Sequence, residues 1–374
     1  MRTIAAIGNV KKQSTFSGTP YHFFKTSLKE GLVQDGWALP MKRHFFYRFM
    51  YNIRKVLTFQ RPGGYQYSSL FCKVAYKSVP QYFWSSEVIS FNQHFPTALF
   101  IHNKGGKIYY YIDATFTQLI ERYGFKEKFS NHTIKKILKV EKENFENADL
   151  IVTFQNWCRD SVINDYSIDS NKVKVILPGA NIDLQDDYEI KKEFKEIVDK
   201  DCPFVLGFIG KDWQRKGLLT LVDIKNELIK RGYNVKIKCA GYAPDALKND
   251  KDIEFVGFIN KVKNLKVFCD FVQSCDIGCL FSKAEFSSIA VLEFLRLGIP
   301  VAGFVVDGMG DLFFPQVSLR FNPNDKIENI ADVFELYIKD ISKYNELKQN
   351  AIDISSYVTW QRCVKEWERI LDTR

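Results

Sequence analysis

Short apolar runs alternate with longer amphipathic ones along most of the chain. MRTIAAIGNV opens as a short strand, and a loop containing Ser17, Gly18, Thr19 and Pro20 follows. Helical spacing predicts a helix over 21–31, and residues 42–59 (KRHFFYRFMYNIRKVLTF) carry basic and aromatic side chains at the same spacing. The apolar stretch 97–102 ends near Gly105 and Gly106, and 107–112 reads as a strand finishing at Asp113. A helix is predicted over 131–147, a strand in ADLIVTF, a helix over 157–166 and a strand in VKVILPG. Strands that alternate with helices in this way predict a parallel sheet covered on both faces.

The pattern stops at 184–202, LQDDYEIKKEFKEIVDKDC, which is charged and has no strand period; a linker is predicted there. Alternation then restarts with FVLGFIG as a strand, 217–231 as a helix, VKIKCAG and IEFVGF as strands and 261–274 as a helix. CDIGCLFSK reads as a buried strand, the next helix ends at Gly298, and IPVAGFVV follows as a strand. The class is α/β, with two αβα halves. Open α/β sheets bind ligands beyond the carboxyl ends of their strands, so two such halves are expected to face a central cleft. The amphipathic stretch 360–371 closes the chain, and no short repeat or low-complexity run interrupts it.

Glu285 and Glu293 are the most informative pair. One stands at the mouth of a strand-to-helix turn and the other inside the helix. Helical rise would put them roughly 12 Å apart along the axis. That span suits a nucleotide-sugar, with hydroxyls at both ends for the carboxylates and phosphates between them for the positive end of a helix.

At these residues the chain resembles the retaining glycosyltransferases of the GT-B fold. Their signature is a Glu, seven residues, a second Glu and then G-x-P-V, here Glu285, Glu293, Gly298, Ile299, Pro300 and Val301. Two further blocks match in order, FVLGFIGKDWQRKG at 204–217 and VKVILPGANID at 173–183. In the first half the likeness rests on Gly18 to Tyr21 and on YYYIDAT at 109–115. The resemblance implies two Rossmann-like domains. The first, 1–183, would bind the acceptor and the second, 184–352, the nucleotide-sugar, while 353–374 would carry a helix packing back on the first.

Roles follow from the same resemblance. Lys211 and Lys216 would hold the leaving diphosphate, where fixed cations lower the barrier, with Arg215 as the spare. Lys211 replaces a family arginine, so a fork becomes a point charge. Ser287, Ser288 and Ile289 would offer backbone N–H groups to phosphate. Glu293 would grip the ribose hydroxyls and Glu285 the transferred sugar. Gly18 would let the backbone approach the donor, and Asp113 is the polar match for a family histidine, with His102 as the alternative. Each has a plain structural reading as well: a solvated turn for the lysines, an N-cap for Ser287 or Asp113, an ion pair with Arg296 for Glu293, and an ordinary turn before Pro20 for Gly18.

Composition narrows the rest. A chain of 374 residues with 46% apolar content supports two ordinary domains. No apolar run reaches a membrane span, and the first residues lack a signal-peptide core, so a cytoplasmic protein is expected. The eight cysteines are scattered without a C-x-x-C pair and read as buried thiols rather than metal ligands. Asp250, Lys251 and Asp252 make an Asp-x-Asp triplet of the metal-binding kind, but they fall in a polar loop and read as a solvated turn; no metal or other cofactor is expected. The net charge of +9 favours anionic partners. Residues 42–59 could lie on an anionic membrane at the inner face of the plasma membrane, or pack a core face with the basic side in water. No basic-aromatic sheet motif points to nucleic acid. The expected reaction moves a hexosyl unit from a nucleoside diphosphate sugar to a hydroxyl of a glycan or lipid-linked acceptor, in surface polysaccharide biosynthesis. A nucleotide-sugar 2-epimerase of the same fold and a non-catalytic nucleotide-sugar or glycan binder stay open as alternatives.

Overall fold

The computed structural model describes residues 1–184, 190, 194–196 and 202–373. The chain forms two compact units, Met1–Pro178 together with the chain from Cys363, and Gly179–Arg362. The first division falls after Pro178, not after 183, because the next residues are tied into the second unit. Ala180 N–H donates to the Val358 carbonyl (2.9 Å), and Trp360 Nε1 donates to Asn181 Oδ1 (3.1 Å). The return to the first unit begins at Cys363, not at 353. The linker expected over 184–202 lies largely outside the described residues.

The first unit holds a parallel sheet of β1 (Arg2–Ala5), β2 (Asp35–Gly36), β3 (Glu87–Ser90), β4 (Lys107–Ile112), β5 (Leu150–Thr153) and β6 (Val173–Val175). Their order is β2-β1-β3-β4-β5-β6, so the winding reverses between β1 and β3. The second unit holds β7 (Phe204–Gly210), β8 (Val235–Gly241), β9 (Ile253–Gly257), β10 (Ile277–Leu280), β11 (Val301–Phe304) and β12 (Ser318–Phe321). Their order is β12-β11-β10-β7-β8-β9, also parallel, with the reversal between β7 and β10. Both are doubly wound α/β sheets. The second has the dinucleotide-fold strand order. The first departs from it because the chain after β2 adds no third strand on that side and returns through helices Met41–Leu57 and Ser69–Tyr76 to β3.

Strands buried on both faces read as continuous apolar runs, and β4 (KIYYYI) is one: only Lys107 is exposed. Its tyrosines are tolerated because their hydroxyls are used. Tyr110 donates to the Pro96 carbonyl and Tyr111 to that of Ile176, each at 2.9 Å. β3 (EVIS) escaped the sequence reading because it is short and carries two polar residues. Glu87 is paired with Arg2 of the neighbouring strand, and Ser90 Oγ donates to the carbonyls of Asn92 and Phe95. The closing helix, Trp360–Asp372, sends Trp367 against Phe23 and Tyr111 in the core of the first unit.

A buried carboxyl group ties the loops after β3 and β4. Glu141, on helix Asn131–Asn147, accepts from Gln93 Nε2 (2.7 Å), from the Phe116 N–H (2.9 Å) and from the Tyr166 hydroxyl. Burial raises its pKa to about 7, against the opposing pull of those donors. The folded state therefore keeps the proton that the unfolded state releases, and this contribution to stability fades as pH rises from about 4.5 through 7. Between pH 5 and pH 7 the wild type should lose about 2 kcal/mol relative to Glu141→Gln. Urea unfolding of both at the two pH values measures it; parallel stability profiles would refute the assignment.

Candidate active site

The second unit brings one cluster of charged residues together at the carboxyl edge of the sheet, around the reversal between β7 and β10. β7 ends at Gly210, and the loop 211–217 leads into helix Leu218–Lys230. Gly217 caps that helix with φ +76°, and a Cβ there would lie 2.0 Å from the Phe281 carbonyl oxygen. Only glycine lets the loops after β7 and β10 approach so closely. The Lys283 N–H then donates to the Arg215 carbonyl (3.0 Å), lacing the two loops together.

Glu285 is the centre of this arrangement and is buried. Its Oε2 accepts from Arg215 Nη1 at 3.0 Å, lies 3.5 Å from Lys216 Nζ, and is 3.5 Å from Ser282 Oγ. Arg215 Nη1 also donates to the Ala284 carbonyl at 2.7 Å. The Glu285 N–H donates to Asp307 Oδ2 (3.1 Å), and Asp307 follows β11 with an unusual positive φ of 49°. Arg215 and Lys216 thus form the cationic pair beside Glu285. Lys211, expected as half of that pair, does not join it: its side chain is exposed, with Nζ over the Phe258 ring, 4.8 Å from the centroid. Arg215, the spare, takes the place instead, because the loop turns back on Asp212, whose carboxylate accepts from Arg215 N–H and Nε.

Helix Ile289–Arg296 begins four residues beyond Glu285, so helical rise does not span the pair of glutamates. Ser288, not Ser287, occupies the cap position, and its side chain makes no capping bond. The hydroxyls of both Ser287 and Ser288 are buried and have no partner among the described residues. Two orphan hydroxyls stand at a helix start whose first N–H groups also lack helical acceptors, so unsatisfied donors cluster at this turn. Ile289 is the first helical residue.

Glu293 is buried on that helix. Its partner is not Arg296 but Lys261, whose ammonium meets Glu293 Oε1 in a short ion pair, donates to the Asn181 carbonyl (3.2 Å) and lies 5.1 Å from the Phe268 ring centre. Lys261 follows β9 and Asp307 follows β11. Both were missed, and the signal that could have found them is the same: a polar residue just past the carboxyl end of a parallel strand.

In the first unit, Gly18 precedes helix Thr19–Glu30 at φ +89°, and its N–H donates to the Thr15 carbonyl (2.9 Å). Pro20 is therefore the second helical residue. Asp113 follows β4 half-buried, and its carbonyl accepts from Gln155 Nε2 (2.5 Å). It is not a cap, because Thr115 holds that position in a capping box with Gln118. His102 stands elsewhere: Nε2 pairs with Asp149 Oδ2 at 2.9 Å, and that carboxylate accepts the Ile108 N–H, at the amino ends of β4 and β5. His94, unnoticed in the sequence, follows β3 at the carboxyl edge. It is buried against Tyr67 and Phe116, and burial lowers its pKa to about 3, so it is neutral. The Asp250 carboxylate is not merely solvated: it binds the buried Lys225 ammonium at 2.6 Å.

Residues 203–340 match the family profile described as Glycosyl transferases group 1. No curated protein matches the chain. Among solved structures, the sucrose-phosphate synthase of Thermosynechococcus elongatus aligns over 100% of this chain and 98% of its own, with a TM-score of 0.65 at 12% identity. Anabaena HepE, solved in complex with UDP-glucose, aligns over 100% of both chains with a TM-score of 0.60 at 14% identity. WaaG, a glycosyltransferase involved in lipopolysaccharide biosynthesis, aligns over 99% of both chains with a TM-score of 0.62 at 13% identity. The fold is GT-B, and the segment that carries the Glu285 cluster is a group 1 glycosyltransferase domain. The protein is a glycosyltransferase of the GT-B type.

Proposed function

We propose that the protein moves a hexosyl unit from a nucleoside diphosphate sugar to a hydroxyl of a glycan or lipid-linked acceptor, with retention of anomeric configuration, in the assembly of a surface polysaccharide on the cytoplasmic side. The observation that carries this reading is Glu285 held by Arg215 and Lys216 next to the hydroxyls of Ser287 and Ser288, which have no partner among the described residues. Two cations and a helix start suit a diphosphate, and a carboxylate beside them suits sugar hydroxyls. Arg215 and Lys216 hold the leaving diphosphate, and Lys211 adds positive potential from the start of the same loop. Ser287, Ser288 and the Ile289 N–H meet phosphate oxygens. Glu293 takes the ribose hydroxyls, with Lys261 keeping its charge balanced. These cations do the work that a metal ion does in other transferases. HepE crystallised with UDP-glucose and WaaG acts in lipopolysaccharide biosynthesis, which supports a nucleotide-sugar donor and a surface glycan.

In the reaction, the bond from the anomeric carbon to the β-phosphate oxygen breaks, and the acceptor oxygen bonds to that carbon on the same face. The acceptor proton passes to the departing phosphate oxygen. Gly18 and Asp113, at the carboxyl edge of the first unit's sheet, are given to the acceptor side. Purified protein incubated with UDP-, GDP- and ADP-sugars, with and without glycan acceptors, tests the reading. One donor should raise the melting temperature, and NMR of the product should show the donor's anomeric configuration. Free epimerised nucleotide-sugar would favour the 2-epimerase, and binding without turnover on any acceptor would favour a non-catalytic binder.

A further inference from the structure

Helix Met41–Leu57 is built the wrong way round for a helix on a water-facing surface. Its buried positions are polar. His44 Nδ1 shares a hydrogen bond with the Tyr65 hydroxyl (3.1 Å), and Lys55 Nζ donates to Thr133 Oγ1 (2.9 Å). On the opposite face Phe46, Phe49, Met50, Ile53 and Leu57 recur at the three- and four-residue steps that align side chains along one stripe, and all are exposed. Phe45 is 76% exposed, Leu57 74%, and Phe59, where the chain turns with a left-handed φ of 54°, is 101% exposed. Nothing in its own compact unit covers this face. A contiguous apolar stripe of this kind on a surface marks a docking site.

We propose that this face seats the protein on an anionic lipid bilayer. The charge around it decides the occupant. No Asp or Glu lies between Asp35 and Glu87, and eight lysines and arginines do, so the segment that carries the stripe holds most of the formal net charge of +9, although Lys55 itself faces inward. Lys42 begins the exposed side of the helix, and Arg43 and Arg54 flank the stripe. Apolar side chains entering the acyl boundary with cations at the headgroup level are the arrangement of an interfacial helix. A second copy of the chain is a poorer occupant. A two-fold contact sets a patch against itself, and this one would bring like charges together with no carboxylate in the segment 36–86 to answer them. Nucleic acid would engage the cations but leave the apolar stripe in water.

Co-sedimentation of the full chain with large unilamellar vesicles tests this, and it needs no turnover, so it stands or falls apart from the transferase reading. Wild type should pellet with phosphatidylcholine–phosphatidylglycerol vesicles and remain in the supernatant with phosphatidylcholine alone. Phe46→Ser/Phe49→Ser/Leu57→Ser should weaken binding by at least roughly tenfold. Arg43→Gln/Arg54→Gln should weaken it severalfold and reduce its salt sensitivity. Both variants should keep the wild-type melting temperature, because the replaced side chains lie on the surface. Wild type that ignores anionic vesicles, or a triple-serine variant that pellets as well as wild type, overturns the proposal. So does a wild-type dimer, seen by light scattering, that the triple variant dissolves without any vesicle binding, or retention by RNA with none by vesicles.

Discussion

Lys216→Ala is expected to lower donor turnover by roughly 10²–10³-fold, or about 2.7–4 kcal/mol, with little change in melting temperature. The ammonium lies 3.5 Å from Glu285 Oε2, and its side chain is only 16% exposed. A cation so placed and so little hydrated acts strongly on charge that develops on a leaving phosphate. On the proposed reading the loss should fall on kcat more than on KM, since Arg215 would still bind the ground-state diphosphate. Lys216→Arg should recover part of it, because the charge is kept while the donor geometry changes. The check is steady-state kinetics with whichever nucleotide-sugar the donor panel identifies. A Lys216→Ala protein within threefold of wild-type kcat/KM would remove this residue from the diphosphate.

The second large effect concerns Glu293. Lys261→Met should destabilise the protein by about 3 kcal/mol, at the low end for a broken buried ion pair because the lysine side chain is 29% exposed. The cost comes from Glu293, only 4% exposed, left charged without a cation. Glu293→Gln in the same background should restore most of the stability and, if Glu293 takes the ribose as proposed, weaken nucleoside diphosphate binding. Urea unfolding of the single and double variants, with calorimetric binding alongside, separates charge from packing. If the double variant stays as unstable as the single, the lost lysine stem over Phe268 is responsible and the ion pair is not.

Much of the fold could be read from the chain because period and composition agree. β4, β7 and β8 and helix Asn131–Asn147 have the expected bounds, since each combines an apolar run or stripe with a clear stop. β3 did not stand out, because its four residues include Glu87 and Ser90, whose polarity is absorbed by partners on β1 and in the following loop. At the site, the Glu285 turn was legible because a strand, a short loop and a helix lie in one stretch. Which cations answer it was not. Arg215 rather than Lys211 faces Glu285 because the loop folds back on Asp212, and the partner of Glu293 lies 32 positions away in sequence.

The sequence by itself determined the α/β class, the two doubly wound halves and the strand-to-helix turn that carries the glutamates, because these depend on local period and on neighbours in the chain. Only the tertiary structure decided which charges meet, through loops brought side by side at the carboxyl edge of a parallel sheet. It also decided which way helix Met41–Leu57 points. An amphipathic period shows that a helix has two faces; the hydrogen bonds of His44 and Lys55 to residues distant in the chain turn the polar one inward and leave the aromatic one outside.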